Sequence, residues 1–362
     1  MTSALSWDVA ERVATWAGSG RVPVLASPPA MDAATEAALH RDFAQYTALA
    51  EGLVVAETGL HPLTGPPRAK VVDRTEWARS NLRSFRRLLE PVLANAEGAT
   101  ALPGPFGGAA RAVAGAQLGM ILGWMATRVL GQYDLLLAEG DDAGDIVSYV
   151  GPNIVAMERH HGFDPGQFRM WIALHEVTHR CQFTAVEWLR PHFLSLVDQV
   201  VAGVTPDPKR FADVLRRAAE AARQGRNPLE DAGILGLVAP PEQLEVIGRI
   251  QAMMSLLEGH GDVTMSRAGA GQVPDAHRFA RVLRDRRSKA SRPARLLQQL
   301  LGIEAKLKQY AQGERFIAEV EAAGGPGLLA RVWEGPEMLP TMDEIRRPDQ
   351  WIVRAGGRLA PV

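Results

Sequence analysis

Cysteine is nearly absent from this sequence, with a single residue, Cys181, among 362. One cysteine excludes a disulfide within the chain, and a chain without disulfides is typical of a reducing compartment, so we expect a cytoplasmic protein. An excess of charge of either sign is also lacking, since 40 basic and 41 acidic residues leave a formal net charge of −1. This balance argues against binding to nucleic acid or to an anionic membrane surface.

Apolar runs of membrane-spanning length are missing as well. The most apolar stretch, AVAGAQLGMILGWMAT, has 16 residues between Arg111 and Arg128, whereas a spanning helix needs about 20. Its glycines Gly115, Gly119 and Gly123 recur every fourth residue and therefore line one side of a helix. We predict a buried helix and no membrane span, with a flat strip where the backbone of another helix approaches closely.

Strand-forming patterns are few, and helical periodicity dominates the chain. The clearest strand signals are DIVSYVG at 145–151 and NIVAMER at 153–159, which are rich in β-branched residues and bounded by turn formers. We expect these two segments to form a hairpin or one broken edge strand. Together the patterns favour a mainly α protein with a small β-sheet, an α+β fold.

The sequence also lacks repeats of fixed period and low-complexity segments that would mark a linker. We therefore predict a single domain over residues 1–362, with a helical N-terminal part at about 1–135. A strand and a histidine-bearing helix follow at 145–190, a further helix at 241–267, and C-terminal helices at 275–355.

The histidine-bearing helix contains WIALHEVTHRCQF, in which His175, Glu176 and His179 spell H-E-x-x-H. On an α-helix, positions i and i+4 lie about 40° apart around the axis, so both imidazoles can bind one Zn²⁺. Glu176 lies about 100° round from His175, where it can reach a metal-bound water and act as its general base. The alternative is a pair of hydrogen-bonded histidines on a partly buried helix.

A zinc site needs a third protein ligand, and Glu258 follows the apolar helical stretch 247–257. A carboxylate on an apolar surface requires a partner, and a metal ion is one. Asp262, about one turn later, could accept a hydrogen bond from the outer nitrogen of a ligating histidine. Alternatively, Gly259 caps the end of the helix and Glu258 is solvated.

Other side chains near these motifs have less specific signals. His260, Arg267 and Tyr310 are candidates for stabilising an oxyanion. Cys181 lies two residues after His179 and so points away from the metal-facing side of the helix, which favours a small core residue over a ligand.

The combination of motifs resembles a known group of enzymes. H-E-x-x-H followed by a distant E-x-x-x-D is similar to the gluzincin branch of the zincin metallopeptidases. The segments LGQYDLLL, YVGPNIVAMER, SLLEGHGDVTM and WEGPEMLPTMDEIRRPDQWI resemble more closely a zincin-like family of actinobacteria and chloroflexi whose function is unknown, over about residues 5–355. The resemblance implies a zincin-like metallopeptidase core with additional helices.

The resemblance also implies a role for the predicted strand. In zincins an edge strand upstream of the H-E-x-x-H helix pairs with extended peptide substrate, and residues 148–159 are in the matching place. We therefore expect this segment to bind an extended peptide or protein by strand addition. The alternative is an ordinary structural hairpin.

These patterns lead to one principal hypothesis and two alternatives. The principal hypothesis is a soluble zinc-dependent hydrolase, most simply a peptidase, with Zn²⁺ on His175, His179 and Glu258 and with Glu176 as base. A hydrolase of a non-peptide amide or ester would use the same water chemistry. A zincin-fold binding or scaffold protein without turnover is the other alternative, and the intact Glu176 argues against it.

Overall fold

A computed structural model of the protein describes residues 5–22, 25, 27–100, 105–135, 146–202, 241–288 and 303–357. Contacts within the chain group it into two compact units. The first comprises Met1–Ala185 with Met265–His277, and the second comprises Val186–Thr264 with Arg278–Val362. The single domain over the whole chain stays a prediction.

The described residues are mainly helical with one small sheet, which confirms the predicted fold class. The elements up to residue 185 are, in chain order, α1 (Trp7–Gly18), α2 (Ala33–Thr58), β1 (Arg68–Val72), α3 (Arg74–Thr100), α4 (Pro105–Ala126), β2 (Gly131–Tyr133), β3 (Ile146–Val150), α5 (Gly151–His161) and α6 (Pro165–Ala185). The later helices are α7 (Leu189–Ala202), α8 (Pro241–Ala268), α9 (Ala276–Ser288), α10 (Ile303–Ala330), α11 (Met342–Arg346) and α12 (Pro348–Arg354). Two short 3₁₀ helices, Arg331–Trp333 and Pro336–Met338, lie between α10 and α11.

The sheet has the strand order β1–β3–β2, so β3 is its central strand. Strand β1 runs parallel to β3, with Arg68 opposite Ile146 at one end and Val72 opposite Val150 at the other. Strand β2 runs antiparallel to β3 over three residues and forms an edge of the sheet. The strand that precedes the H-E-x-x-H helix therefore has hydrogen-bonded neighbours on both sides.

The expectation that 145–159 forms a hairpin or a broken edge strand is wrong. Only its first half is strand, and its second half lies in helix α5. Pro152 is in the first turn of α5, where a missing N–H costs nothing, and Gly162 ends the helix at φ 57°. Because β3 is central and the rest is helical, the hypothesis that this segment binds substrate by strand addition is also wrong.

Gly115, Gly119 and Gly123 of α4 lie against α1 and the Ser6 that caps it, which confirms the predicted close helix approach. An added Cβ at Gly119 would lie 2.9 Å from Val13 Cβ and 3.0 Å from the Ala14 backbone nitrogen. Both are shorter than ordinary van der Waals contacts, so only glycine lets the two backbones pack at this spacing. Among the described residues, no helix combines the length and apolar character that a membrane span requires.

We expect Gly119→Ala to lower the free energy of unfolding by about 1–3 kcal/mol, because the new methyl group forces α1 and α4 apart. The matched control is Gly108→Ala in the same helix, where an added Cβ has nothing within 4 Å. That variant should be as stable as the parent or gain up to about 1 kcal/mol from helix propensity. Urea titration followed by circular dichroism measures both, and equal midpoints for the two variants would contradict the packing role of Gly119.

The second unit has its own apolar core, to which α10 contributes most. Phe316 and Trp351 are fully buried and meet edge to face, with ring centroids 5.5 Å apart. Helix α8 approaches α10 closely, since an added Cβ at Gly259 would lie 2.7 Å from the Glu314 nitrogen. Gly259 therefore serves packing, and its proposed role as a helix cap is wrong because α8 continues to Ala268.

Candidate metal centre

Helix α6, which carries the H-E-x-x-H motif, begins at a capped N-terminus and is deeply buried. The Asp164 carboxylate accepts a hydrogen bond from the Gln167 N–H at 2.8 Å, an N-cap interaction that favours helix initiation at Pro165. Its apolar residues Leu174 and Val177 are 0% exposed. The motif therefore lies on a well-packed helix, which keeps the separations between its side chains constant, as a catalytic or metal site requires.

His175 and His179 lie one helical turn apart on α6 and face the same way. Their ring centroids are 4.7 Å apart with an interplanar angle of 87°. One ring nitrogen of each lies within 4.8 Å of the other, a separation that a single metal ion can bridge. Both side chains are partly exposed. The predicted convergence of the two imidazoles is thus a feature of the structure.

Gln182 orients one of these imidazoles. His179 Nδ1 lies 2.9 Å from Gln182 Oε1, and Gln182 is fully buried. An amide oxygen can only accept, so Nδ1 carries the proton and Nε2 keeps the lone pair that a metal needs. Sequence reasoning assigned such an orienting role to Asp262 and missed Gln182. Gln182 lies three residues after His179, and this i, i+3 spacing on a helix could have revealed the contact.

The Glu176 side chain lies against the edge strand β2. The Tyr133 N–H donates a hydrogen bond to Glu176 Oε2 at 3.2 Å. An added Cβ at Gly131 would lie 2.6 Å from Glu176 Cγ, so the strand leaves room for this side chain only because residue 131 is glycine. Glu176 is 8% exposed. Sequence reasoning missed Gly131 and Tyr133, since the contact joins segments about 45 residues apart.

Tyr149 of β3 lies close enough to Glu176 for the carboxylate to influence ionisation of the phenol. Burial, and to a lesser extent the negative charge of Glu176, raises the pKa of Tyr149 well above its usual range. Its hydroxyl is 2.7 Å from Thr47 Oγ1, and its ring stacks on Phe43 with centroids 3.8 Å apart. Tyr149 is therefore a neutral phenol packed between α2 and the sheet.

Arg180, a charged residue directly after His179 on α6, is held by partners on other segments of the first unit. It is fully buried and forms an ion pair with Glu51 of α2, with a further hydrogen bond to Thr64 Oγ1 at 3.2 Å. A buried guanidinium needs such partners, and these ones join α6 to α2. The adjacent Cys181 is also fully buried, and burial raises the pKa of its thiol to about 12. The interpretation of Cys181 as a core residue is confirmed.

In the second unit, Glu258 lies within helix α8 beside the fully buried Leu256 and Leu257, and it is itself 8% exposed. The predicted apolar setting of this carboxylate is confirmed. His260 is 7% exposed, with its ring 5.2 Å from that of Trp333 in an edge-to-face arrangement. Its Nδ1 is 3.5 Å from Thr264 Oγ1.

The remaining predicted site residues have different surroundings. Asp262 is partly exposed on α8. Arg267 is exposed, and its Nη1 lies 3.7 Å from Glu57 Oε1 of α2, an arrangement typical of a surface ion pair. The side chain of Tyr310 lies outside the described residues.

Comparison with known proteins agrees with this geometry. The model of the zincin-like metallopeptidase family matches residues 5–352. Among solved structures, the chain is similar to an inferred hydrolase with a novel fold from Chloroflexus aurantiacus, at 32% sequence identity and a TM-score of 0.71. The match covers 98% of this chain and 100% of that one. No curated protein matches the sequence.

Proposed function

Because the chain belongs to the zincin-like metallopeptidase family, we propose that it is a zinc-dependent hydrolase that cleaves extended peptide or protein substrates. In this proposal His175, His179 and Glu258 hold the metal and Glu176 is the general base. The observation that carries the proposal is the pair of imidazoles on one turn of α6, 4.7 Å apart between ring centroids. Family membership alone already makes the protein a metal-dependent hydrolase.

The proposed ligands fit zinc in their chemistry. Each of the three side chains offers one ligand atom that zinc favours, an imidazole nitrogen from His175 and from His179 and a carboxylate oxygen from Glu258. Two imidazoles and one carboxylate are a recurrent catalytic zinc set that leaves a position for water. The burial of Glu258, 8% exposed, supports its inclusion, since a nearby cation stabilises a carboxylate in an apolar setting.

The proposed chemistry divides between the metal and the protein. Zinc, when bound, lowers the pKa of a coordinated water to about 7 and polarises a carbonyl group. Glu176 takes the proton from the attacking water and delivers it to the leaving nitrogen. The hydrogen bond from the Tyr133 N–H to Glu176 Oε2 supports this role, because it holds one carboxylate oxygen against strand β2.

Further residues complete the proposal. Asp262 accepts a hydrogen bond from the outer nitrogen of a ligating histidine, as Gln182 does for His179. Of the three oxyanion candidates His260, Arg267 and Tyr310, we favour His260. It is buried, and a donor stabilises developing charge more strongly where water is excluded.

The proposal is tested by digesting a peptide library with the purified protein, before and after chelation. We expect cleavage that disappears when zinc is removed and returns when a stoichiometric amount is added back. Chelated protein that cleaves as fast as untreated protein would contradict zinc dependence. Parallel assays with simple esters and non-peptide amides test the alternative hydrolase. Turnover of those substrates without any peptide cleavage would favour it.

A further inference from the structure

The edge strand β2 makes several contacts whose common effect is to place the Glu176 carboxylate. We propose that β2 orients the general base: Gly131 admits the side chain, the Tyr133 N–H holds one carboxylate oxygen, and Gln132, anchored by Asn81, keeps the strand in position. This inference rests on the proposed function, since it assigns positioning residues to the same reaction.

Gly131 is the first part of the arrangement. An added Cβ would lie 2.6 Å from Glu176 Cγ, 2.8 Å from Oε1 and 2.9 Å from Cδ. All three atoms belong to one side chain, so a methyl group at this position would displace the carboxylate. The three atoms nearest to such a Cβ all belong to Glu176, so the side chain of Glu176 explains why residue 131 is glycine.

The second part is the hydrogen bond from the Tyr133 N–H to Glu176 Oε2, 3.2 Å long. A backbone donor on a strand has one direction, which the strand determines, whereas a side-chain donor can rotate away. The bond therefore restrains the carboxylate of Glu176 in a single orientation. Hydrogen bonds to charged groups are also stronger than those between neutral groups.

The third part keeps β2 itself in place. Because side chains alternate along a strand, Gln132 projects to the opposite face from Gly131 and Tyr133. There its amide pairs with that of Asn81 on α3 through two hydrogen bonds, 3.1 Å and 3.3 Å long. Asn81 Nδ2 also donates to the Trp77 carbonyl at 3.0 Å. A strand of only three residues has few ladder bonds, so this amide pair contributes much of its restraint.

The main test is Gly131→Ala. We expect kcat to fall by about 10²–10⁴-fold, as for loss of the base itself, with KM and zinc content unchanged. Adding Gly131→Ala to Glu176→Gln should cause no further loss, because both changes remove the same function. The matched control is Gly52→Ala in α2, where an added Cβ meets nothing within 4 Å. It should leave kcat unchanged.

A second readout needs neither substrate nor metal. Loss of the acceptor should speed hydrogen exchange of the Tyr133 amide in Gly131→Ala by about 10–100-fold, the range expected for a bond to a charged group. The Val150 amide, which donates to the Leu130 carbonyl at 2.8 Å, should keep its rate. A merely structural effect on the sheet would accelerate both amides. Unchanged Tyr133 exchange together with wild-type kcat would overturn the proposal.

The amide pair is tested by Gln132→Leu and by the exchanged pair Asn81→Gln with Gln132→Asn. We expect Gln132→Leu to lower kcat at least about tenfold per folded molecule, and the exchanged pair to recover most of it, since two hydrogen bonds can form again. Full activity in Gln132→Leu would contradict the proposal that Gln132 anchors β2. A wild-type protein that binds no zinc would refute the proposed function, while Tyr133 exchange would still decide whether β2 orients Glu176.

Discussion

Glu176→Gln is expected to abolish hydrolysis while the fold and the bound zinc remain. Glutamine has nearly the shape of glutamate, and its amide oxygen can still accept the hydrogen bond from the Tyr133 N–H. It cannot take a proton from the attacking water. General-base catalysis contributes about 10²–10⁴-fold, so the loss should be of that size and should fall on kcat rather than on KM. Steady-state kinetics on a peptide from the library screen measures it, together with zinc content and circular dichroism.

Two comparisons make this result interpretable. Glu76→Gln alters a partly exposed glutamate whose Oε1 lies 2.7 Å from Lys70 Nζ, and it should retain full activity. Gly131→Ala should resemble Glu176→Gln in kcat, because it displaces the same carboxylate. Wild-type turnover by Glu176→Gln would refute the general-base assignment. Peptide binding without turnover by any variant, wild type included, would instead support the scaffold alternative.

Features set by local spacing could be predicted from the sequence. The positions of His175 and His179 follow from helix geometry alone, and the structure brings their rings together accordingly. The strip formed by the α4 glycines likewise depends on a four-residue repeat, and α1 packs there. The buried setting of Glu258 followed from the apolar residues before it. In each case a residue and its near neighbours carry the information.

Features set by non-local contacts could not be predicted in the same way. The run NIVAMER is rich in β-branched residues, but Pro152 at the helix start and burial of Ile154 and Val155 favour α5. Tertiary packing thus overrides strand propensity. Strand β2 has only three residues, too few to show alternation, and its pairing with β3 depends on a partner 16 residues away. The ion pair between Arg180 and Glu51 is equally non-local.

Local sequence patterns and non-local contacts contribute different parts of the proposed site. The residues proposed to bind the metal belong to patterns visible along the chain, whereas the strand proposed to orient the base, β2, has no sequence pattern of its own. Glu176 would be recognised in any H-E-x-x-H sequence, yet its orientation depends on Gly131 and on the amide pair of Gln132. A chain with the motif but a larger residue at 131 should therefore bind zinc and hydrolyse poorly.

Removing a single proposed ligand should eliminate zinc binding. We expect about one zinc ion per chain in the wild-type protein and almost none in His175→Ala, His179→Ala or Glu258→Ala after dialysis, as measured by elemental analysis. Three protein ligands are the usual minimum for a catalytic zinc site, and two leave the ion too weakly held to survive exchange with buffer. Activity should disappear with the metal. Because a ligand that binds only the folded state stabilises it, chelation should also lower the Tm of the wild-type protein.

The same variants show whether the three ligands act together. Zinc added back should raise the Tm of the chelated wild-type protein but not that of the three variants, since their sites are incomplete. His160→Ala, which alters an exposed histidine at the end of α5, is the matched control and should keep both zinc and the Tm response. Full zinc content in His175→Ala or His179→Ala would refute the metal centre itself. Full zinc content in Glu258→Ala alone would leave the H-E-x-x-H pair intact and require a different third ligand.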